Sequence, residues 1–247
     1  MKEKKNSIIV QARMTSTRLP GKVLTEICRK PLISYVLERL KRCRKTTEII
    51  LAIPDTKGND VLEEYARKHE LRYFRGSEND VLSRYYYAAK EFRVENIVRV
   101  TADCPFVDPR IVDLLVDTFI DKKVDYAAVG IEGNFPRGLD AEMFGFETLE
   151  RVNFEAHRDY EREHVTPHIY ENPDLFKVLF LEASGKLRKP DLRLTVDTAE
   201  DLKLAREILE RFVDRGMFYA EDVIDLLEAD PGLASINASV KQKKLGE

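Results

Sequence analysis

The stretch Ser7–Leu24 reads SIIVQARMTSTRLPGKVL and passes abruptly from an apolar run to a polar, cationic loop. Ile8–Val10 suit a buried strand, and Arg13, Arg18 and Lys22 then follow among small hydroxyl residues. A short strand that ends in such a loop is typical of phosphate binding, because backbone N–H groups, hydroxyls and positive charges can all meet phosphate oxygens. The stretch therefore predicts a first strand that delivers a phosphate-binding loop.

This loop differs from the Walker A pattern, and it has a simpler alternative interpretation. A Walker A loop would have glycine in place of Ser16 and a hydroxyl residue in place of Val23. A basic surface loop with a turn at Pro20-Gly21 would have the same composition. The residues of the loop alone leave both interpretations open.

Composition and charge exclude several classes of protein. The 247 residues are 43% hydrophobic and 34% charged, which is typical of a globular domain with a sizeable core. The net charge of −3 argues against a general basic surface for nucleic-acid binding. The three cysteines form no CxxC pair, and no apolar run is long enough for a signal peptide or a membrane span. We expect a single cytoplasmic domain, residues 1–247, with no nucleic-acid or membrane partner.

Strands and helices alternate along the chain. The predicted strands after the first are 48–53, 71–74, 96–101, 124–129, an edge strand at 176–181, and 192–196. The predicted helices lie near 31–41, 59–69, 80–92, 109–120, 198–213 and 219–228. Such alternation indicates a parallel sheet with right-handed crossovers. No GxGxxG follows any strand, so a dinucleotide-binding Rossmann domain is disfavoured.

Asp103 lies just beyond the predicted strand 96–101, whereas the nearby Asp108 precedes Pro109 and suits the N-cap of the next helix. Ligands of open α/β sheets bind beyond the carboxyl ends of the strands, so Asp103 should share a crevice with the Arg13–Lys22 loop. A carboxylate facing bound phosphates would repel them unless a metal ion lay between. Asp103 is therefore a candidate metal ligand, and a simple turn aspartate is the alternative.

Asp197 follows the apolar run 192–196 in the same way, so it should emerge at the same edge of the sheet as Asp103. Two carboxylates that converge opposite a cationic loop would form a site for a hard metal ion such as Mg²⁺. Helix capping offers another explanation, since either Asp197 or Thr198 could be the N-cap of the helix that follows.

The segment after residue 130 changes character and contains further candidate carboxylates. Glycines punctuate it, and Asp140 and Glu142 lie in the run RGLDAEMF. These carboxylates could accept hydrogen bonds from sugar hydroxyls, or they could belong to a solvated turn. His164 and His168 lie four residues apart, which is a spacing found in zinc sites, but Pro167 between them and the lack of HExxH disfavour zinc.

The order A-R-x-x-S-T-R-L-P-G-K-x-L, which begins at Ala12, resembles the signature loop of the sugar-activating cytidylyltransferases of the SpsF type, relatives of the CMP-KDO and CMP-sialic acid synthetases. The runs REHVTP at 162–167 and VDTAEDL at 196–202 resemble the same family. The resemblance implies a three-layer α/β/α sandwich with a mostly parallel sheet, of the nucleotide-diphospho-sugar transferase-like fold class. It also implies a β-rich excursion at about 130–180 that covers the sugar pocket and supports a homodimer.

The resemblance further implies transfer of CMP from CTP to a sugar, with release of pyrophosphate. The acceptor would be a 3-deoxy-2-keto sugar acid for surface, for example spore-coat, polysaccharide synthesis. The implied catalytic residues are Arg13, Lys22 and Asp103; those for nucleotide binding are Ala12, Arg13, Arg18, Lys22, Gly76, Ser77 and Asp80; those for the sugar are Asp140, Glu142, Glu163 and His164; and Mg²⁺ would be held by Asp103 and Asp197.

Two other functions remain alternatives at the level of the sequence. A metal-dependent glycosyltransferase of similar fold would ordinarily show a D-x-D triplet, and the chain contains none. A non-catalytic nucleotide-binding regulator would keep the cationic loop but would not require both Asp103 and Asp197.

Overall fold

The first strand, β1 (Asn6–Gln11), lies in the middle of a seven-stranded sheet. Ile8, Ile9 and Val10 are each fully buried, as expected for a strand that is covered on both faces. The structure, a computed structural model, describes residues 5–132 and 134–242. Within these residues, none of the helices has both the length and the apolar character needed to cross a bilayer.

The sheet is mostly parallel. Its strands are β1, β4 (Glu48–Pro54), β5 (Arg72–Gly76), β6 (Asn96–Thr101), β7 (Tyr126–Val129), β8 (Ala141–Gly145) and β9 (Val178–Phe180), and β2 (Glu26–Ile27) pairs separately with β3 (Lys30–Pro31). The order across the sheet is β5-β4-β1-β6-β8-β7-β9, with β8 antiparallel to both of its neighbours. The predicted strand near 176–181 is confirmed as an edge strand.

Helices cover both faces of the sheet. They are α1 (Leu32–Leu40), α2 (Asp60–Lys68), α3 (Val81–Glu91), α4 (Pro109–Lys122), α5 (Phe146–Glu155), α6 (Asp159–His164), α7 (Pro167–Tyr170), α8 (Ala199–Phe212), α9 (Ala220–Ala229) and α10 (Pro231–Ala234). Ile8 and Val10 belong to the core with α1, α2, α4, α8 and α9, whereas Ile9 belongs to the core with α3 and α5. This alternation along β1 produces the three-layer α/β/α sandwich that the sequence predicted.

Residues 192–196 do not form the predicted strand. The segment makes one isolated parallel bridge, Arg137 with Arg193, and its Val196 N–H donates to the Asp103 carbonyl at 2.8 Å. A regular ladder cannot form beside β6, because β1 and β8 already pair with its two edges. Asp197 nevertheless reaches the end of β6, since these few hydrogen bonds hold its segment there.

Segment 130–180 contains more helix than the expected β-rich excursion. Its two strands, β8 and β9, join the main sheet, and α5, α6 and α7 make up most of its remaining regular structure. The fully buried Leu149 and Val152 of α5 and Ile169 of α7 pack in the same core as α3. The segment therefore extends the sheet and one of its helical layers.

Asp108 is the N-cap of α4, as predicted, and it also fixes the start of α9. Its fully buried carboxylate accepts hydrogen bonds from the N–H groups of Arg110 and Ala220, each at 2.9 Å. Burial raises the pKa of Asp108, but the hydrogen bonds from Arg110 and Ala220 outweigh burial and hold the pKa below its ordinary value. One carboxylate thus ties two helices together.

We expect Asp108→Ala to lower the free energy of unfolding by roughly 2–4 kcal/mol, because the variant loses the cap and leaves the buried Ala220 N–H unpaired. Asp108→Asn, which keeps an acceptor oxygen, should lose less. Because the folded pKa is depressed, the contribution should be fully present above the unfolded pKa of about 3.8 and should be lost as the pH falls through the folded pKa. Urea unfolding of the three proteins at pH 7 and pH 3 measures these differences, and equal stability at pH 7 would contradict the assignment.

Candidate active site

A cavity of about 650 Å³ opens where β1 and β6 end. The side chains of the loop after β1 lie at one end, and residues of β6, β8 and the segment 163–170 lie at the other. Its charged lining residues are Arg13, Arg18, Lys22, Arg84, Arg99, Arg137, Asp103, Asp140, Glu142, Glu163 and Asp197. The carboxyl edge of the sheet thus holds a cavity in which cations and carboxylates are mixed.

The loop after β1 has a defined conformation. The N–H of Gly21 donates to the Met14 carbonyl at 2.8 Å, and Gly21 has φ of 73°, which favours glycine. The Met14 N–H donates to Asn59 Oδ1, also at 2.8 Å. Asn59 is the N-cap residue of α2, but its side chain makes no capping hydrogen bond and instead bonds this loop and Thr56. The loop is therefore anchored to its neighbour at the sheet edge.

Lys22 lies between the two predicted metal ligands. Its Nζ is 2.7 Å from Asp103 Oδ2, 2.7 Å from Asp197 Oδ1 and 2.7 Å from the Val196 carbonyl oxygen, and the residue is only 6% exposed. Burial lowers the pKa of this ammonium, but the charges of Asp103 and Asp197 outweigh burial and raise the pKa above its ordinary value. The sequence predicted that Lys22 would face phosphate, whereas here it bridges the carboxylates.

The outer oxygens of the two aspartates are also bonded. Asp103 Oδ1 accepts from Thr101 Oγ1 at 2.6 Å. Asp197 Oδ2 accepts from Arg193 Nη2 at 2.7 Å and forms an ion pair with Arg18 Nη2 at 3.0 Å. The remaining oxygens, Asp103 Oδ2 and Asp197 Oδ1, are the inner oxygens of the pair. Together with the Val196 carbonyl oxygen they point at a single position, which the Lys22 ammonium occupies. This donor set of hard oxygens suits Mg²⁺, provided that the ammonium moves away.

Arg193 holds Asp197 within a buried network that sequence reasoning missed. Its Nε donates to Asp201 Oδ1 at 3.0 Å, and Asn237 Nδ2 donates to the same oxygen at 2.8 Å. Thr198 is the N-cap of α8, because its hydroxyl accepts from the Asp201 N–H. The Asp197 carboxylate therefore does not cap the helix and is free to face the cavity.

A second group of charges lines the other end of the cavity. Arg99 and Glu142 lie opposite each other on β6 and β8, and Arg99 Nη1 donates to Glu142 Oε1 at 2.8 Å. Glu142 Oε2 accepts from Thr166 Oγ1 at 2.9 Å. Asp140 pairs with Arg137 at 3.0 Å, and burial raises the pKa of both Asp140 and Glu142. We call this end the polar recess; it contains Arg99, Arg137, Asp140 and Glu142, and each of its carboxylates pairs with an arginine.

Glu163 and His164, which the sequence assigned to the sugar site, also line the cavity. Glu163 forms an ion pair with Arg13 at 3.5 Å, and burial lowers the pKa of His164, which favours its neutral form. His168 instead bonds Glu161 at 3.0 Å. Within the part of the chain that the structure describes, no three His, Cys, Asp or Glu residues cluster as metal ligands, so the zinc alternative gains no support.

Ala12 lines the cavity, but three predicted nucleotide-binding residues, Gly76, Ser77 and Asp80, do not. The Ser77 carbonyl accepts from Arg84 Nη1 at 2.7 Å, and Gly76 packs against the stem of the same arginine. Asp80 caps α3 and accepts from Arg162 at 2.6 Å and 3.0 Å. Arg84, which was not predicted, is the residue of this region that reaches the cavity.

Known proteins with similar sequences and structures identify the family of this chain. The cytidylyltransferase family pattern matches residues 7–226. The chain is 34% identical over 232 residues to the spore coat polysaccharide biosynthesis protein SpsF of Bacillus subtilis, covering 92% of this chain and 95% of that protein. The structure of a cytidylyltransferase from Leptospira borgpetersenii is 33% identical, with a TM-score of 0.88 over 98% of this chain and all of that one.

A more distant relative matches only part of the chain. The 3-deoxy-manno-octulosonate cytidylyltransferase of Chloroherpeton thalassium is 30% identical over 116 residues, which is 46% of each chain. The family match, in contrast, spans the loop after β1, both aspartates and the polar recess. The chain therefore belongs to the cytidylyltransferase family and is a CTP-dependent nucleotidyltransferase with the predicted fold.

Proposed function

We propose that this enzyme transfers CMP from CTP to the anomeric hydroxyl of a 3-deoxy-2-keto sugar acid, for surface polysaccharide synthesis. The observation that carries the proposal is one continuous cavity that joins the cationic loop and the two aspartates to a polar recess. A nucleotide and a hydroxylated acceptor could thus lie side by side. The names of SpsF and of the 3-deoxy-manno-octulosonate enzyme suggest the acceptor class and the pathway.

The loop after β1 would bind the triphosphate. Arg13 is 42% exposed in its ion pair with Glu163, so it could exchange that carboxylate for a phosphate at little cost in free energy. Arg18, which is 29% exposed, lies beside Asp197 and could bind the departing pyrophosphate. Positive charges held at these positions would stabilise the negative charge that develops on the leaving group.

Asp103 and Asp197 would hold Mg²⁺ once nucleotide is present. The ion would supply a positive charge that offsets the repulsion between an incoming hydroxyl and the phosphates. Thr101 would orient Asp103, and Arg193 would orient Asp197, because each donates to the oxygen that faces away from the shared cation position. These hydrogen bonds would keep the inner oxygens aimed at one point.

The polar recess would bind the acceptor. Asp140 and Glu142 can accept hydrogen bonds from sugar hydroxyls, and Arg137, which is 40% exposed, can pair with the carboxylate of a sugar acid. His164 in its neutral form could accept a proton or a hydrogen bond from the attacking hydroxyl. Glu163 would be released for the acceptor when Arg13 turns to the triphosphate.

We further propose that residues 1–247 act as one catalytic domain and that segment 130–180 supplies the contact between two copies. Phe154 on α5 and Leu175 before β9 are 66% and 53% exposed, so this segment presents apolar side chains that a second copy could cover. Contact with a second copy would remove this apolar surface from water.

Nucleotide choice tests the proposed function directly. With a panel of sugar acids, CTP should support pyrophosphate release on the order of 10²-fold faster than ATP or GTP, because a site shaped for a pyrimidine excludes the larger purine ring. Neutral hexoses serve as the acceptor control. Equal rates with ATP and the correct acceptor would reject the nucleotide assignment, and CTP turnover with neutral hexoses alone would reject the acceptor class.

Arg13→Ala should weaken CTP binding by about 1.5–3 kcal/mol, because it removes a charge-assisted contact with phosphate and little packing. Calorimetric titration measures the change. Arg211→Ala, on the exposed face of α8, is the matched control and should bind like the wild type. Arg13→Ala removes both the ion pair with Glu163 and the proposed contact with phosphate. Glu163→Gln removes the ion pair alone and keeps the arginine, so it separates the two effects. Wild-type affinity in Arg13→Ala would contradict the role of the loop.

Asp197→Asn should lower turnover by on the order of 10²-fold and recover partly at high Mg²⁺, because asparagine is a poorer ligand for a hard cation. The melting temperature should change little, since Lys22 keeps Asp103 and Arg193 keeps Asp201 as partners. Steady-state kinetics across a Mg²⁺ series test this, with Asp225→Asn, an exposed residue of α9, as the control. Undiminished activity of Asp197→Asn at low Mg²⁺ would refute the ligand role.

A further inference from the structure

Lys22 occupies the position at which the inner oxygens of Asp103 and Asp197 converge. Three oxygens lie 2.7 Å from its Nζ, and only 6% of the residue is exposed. A divalent cation and this ammonium would compete for the same oxygens. We infer that Lys22 is a tethered counter-ion that fills the metal position when nucleotide is absent, so that the divalent cation enters only together with the triphosphate.

The electrostatics of the two aspartates require some cation at this position. Two carboxylates that face each other at a partly buried site repel unless a positive charge lies between them. Their outer oxygens have other donors, namely Thr101, Arg18 and Arg193. Among residues 5–132 and 134–242, the two inner oxygens have Lys22 as their one hydrogen-bond donor, and they lie near the Val196 carbonyl. In the nucleotide-free protein the lysine therefore supplies the compensation that a metal ion would otherwise supply.

The position of Lys22 in the chain gives it a second anionic partner. It begins the short 3-10 helix Lys22–Leu24, directly after Gly21, on the loop that carries Arg13 and Arg18. Its ammonium lies at the end of a flexible four-carbon stem, so it can change partners without a movement of the loop. A triphosphate on this loop would attract the ammonium away from the aspartates and leave three oxygens for the metal ion.

A counter-ion role for Lys22 sets the order in which nucleotide and metal ion bind. Before nucleotide binds, the metal ion must displace a charged, hydrogen-bonded ammonium from both carboxylates, so its affinity for the site is low. After nucleotide binds, the same carboxylates are free and the phosphates add further oxygen ligands. The inference rests on the proposed metal role of Asp103 and Asp197, but it concerns the state of the site before any reaction.

Binding of Mn²⁺ without nucleotide tests this inference, with the electron paramagnetic resonance signal of free Mn²⁺ as the readout. The wild type should bind Mn²⁺ no more tightly than Asp197→Asn. Lys22→Met should bind one Mn²⁺ roughly tenfold or more tightly than the wild type, because the competing charge is gone. This gain should disappear in the double variant Lys22→Met/Asp197→Asn. Lys30→Met, which removes an exposed ammonium paired with Glu38, is the matched control and should bind Mn²⁺ like the wild type.

Thermal unfolding provides a second readout. Without its counter-ion, Lys22→Met should melt below the wild type, and Mn²⁺ should raise its melting temperature while leaving that of the wild type nearly unchanged. If Lys22→Met does not fold, the comparison of the wild type with Asp197→Asn can still overturn the inference. Tighter Mn²⁺ binding by the wild type than by Asp197→Asn would overturn the inference, and so would equal binding by the wild type and Lys22→Met.

Failure of this inference is distinguishable from failure of the proposed function. Tight Mn²⁺ binding by the nucleotide-free wild type, together with CMP transfer to a sugar acid, would reject the counter-ion role alone. The expected Mn²⁺ pattern without CMP transfer to any sugar acid would reject the proposed acceptor and keep the role of Lys22.

Discussion

The contact of one ammonium with two carboxylates joins three distant parts of the chain. Lys22 is 81 residues from Asp103 and 175 residues from Asp197, yet one Nζ touches both at 2.7 Å. The loop after β1, the loop after β6 and the segment before α8 must therefore meet at one point. The central position of β1 makes this possible, because its neighbour β6 ends at the same edge of the sheet. The parallel topology thus brings the charges together, and the ion pairs fix the loops that the topology leaves undetermined.

Features that depend on local pattern were predictable from the sequence. The buried run Ile8–Val10, the helix opened by Asp108-Pro109 and the alternation of strands and helices all follow from side-chain periodicity and capping, which are properties of neighbouring residues. The placement of Asp103 and Asp197 at one edge also followed, since strands that run in the same direction end on the same side. Asp197 lies at this edge even though the segment before it forms a single bridge instead of a strand.

Features that depend on long-range pairing were not predictable in the same way. Arg99 and Glu142 form a cross-strand pair only because β8 inserts antiparallel beside β6, and nothing in the sequence near either residue specifies that register. Arg84 lines the cavity, and its stem packs against Gly76, where a Cβ would lie 3.2 Å from the arginine. The resemblance points to the glycine, but no local pattern marks the arginine, which lies on α3. The buried network around Asp201 contains Arg193 and also Asn237, which lies beyond α10. A motif search does not connect Asn237 with the other two residues, because it is far from them in the sequence.

The charged residues of the cavity form pairs, and the strength of each pair indicates what a ligand can do to it. Arg13 with Glu163 is an exposed pair at 3.5 Å, so it contributes little to stability and can exchange partners readily. Arg99 with Glu142 is buried and hydrogen-bonded, so separating it would leave an uncompensated charge. Lys22 lies between these extremes: it is buried with two aspartates, but the partner that we propose for it, a triphosphate, carries more charge than either aspartate. Ligand binding should therefore rearrange the pairs at the nucleotide end of the cavity and leave those of the polar recess intact, which makes the recess the rigid part of the site and the loop after β1 the responsive part.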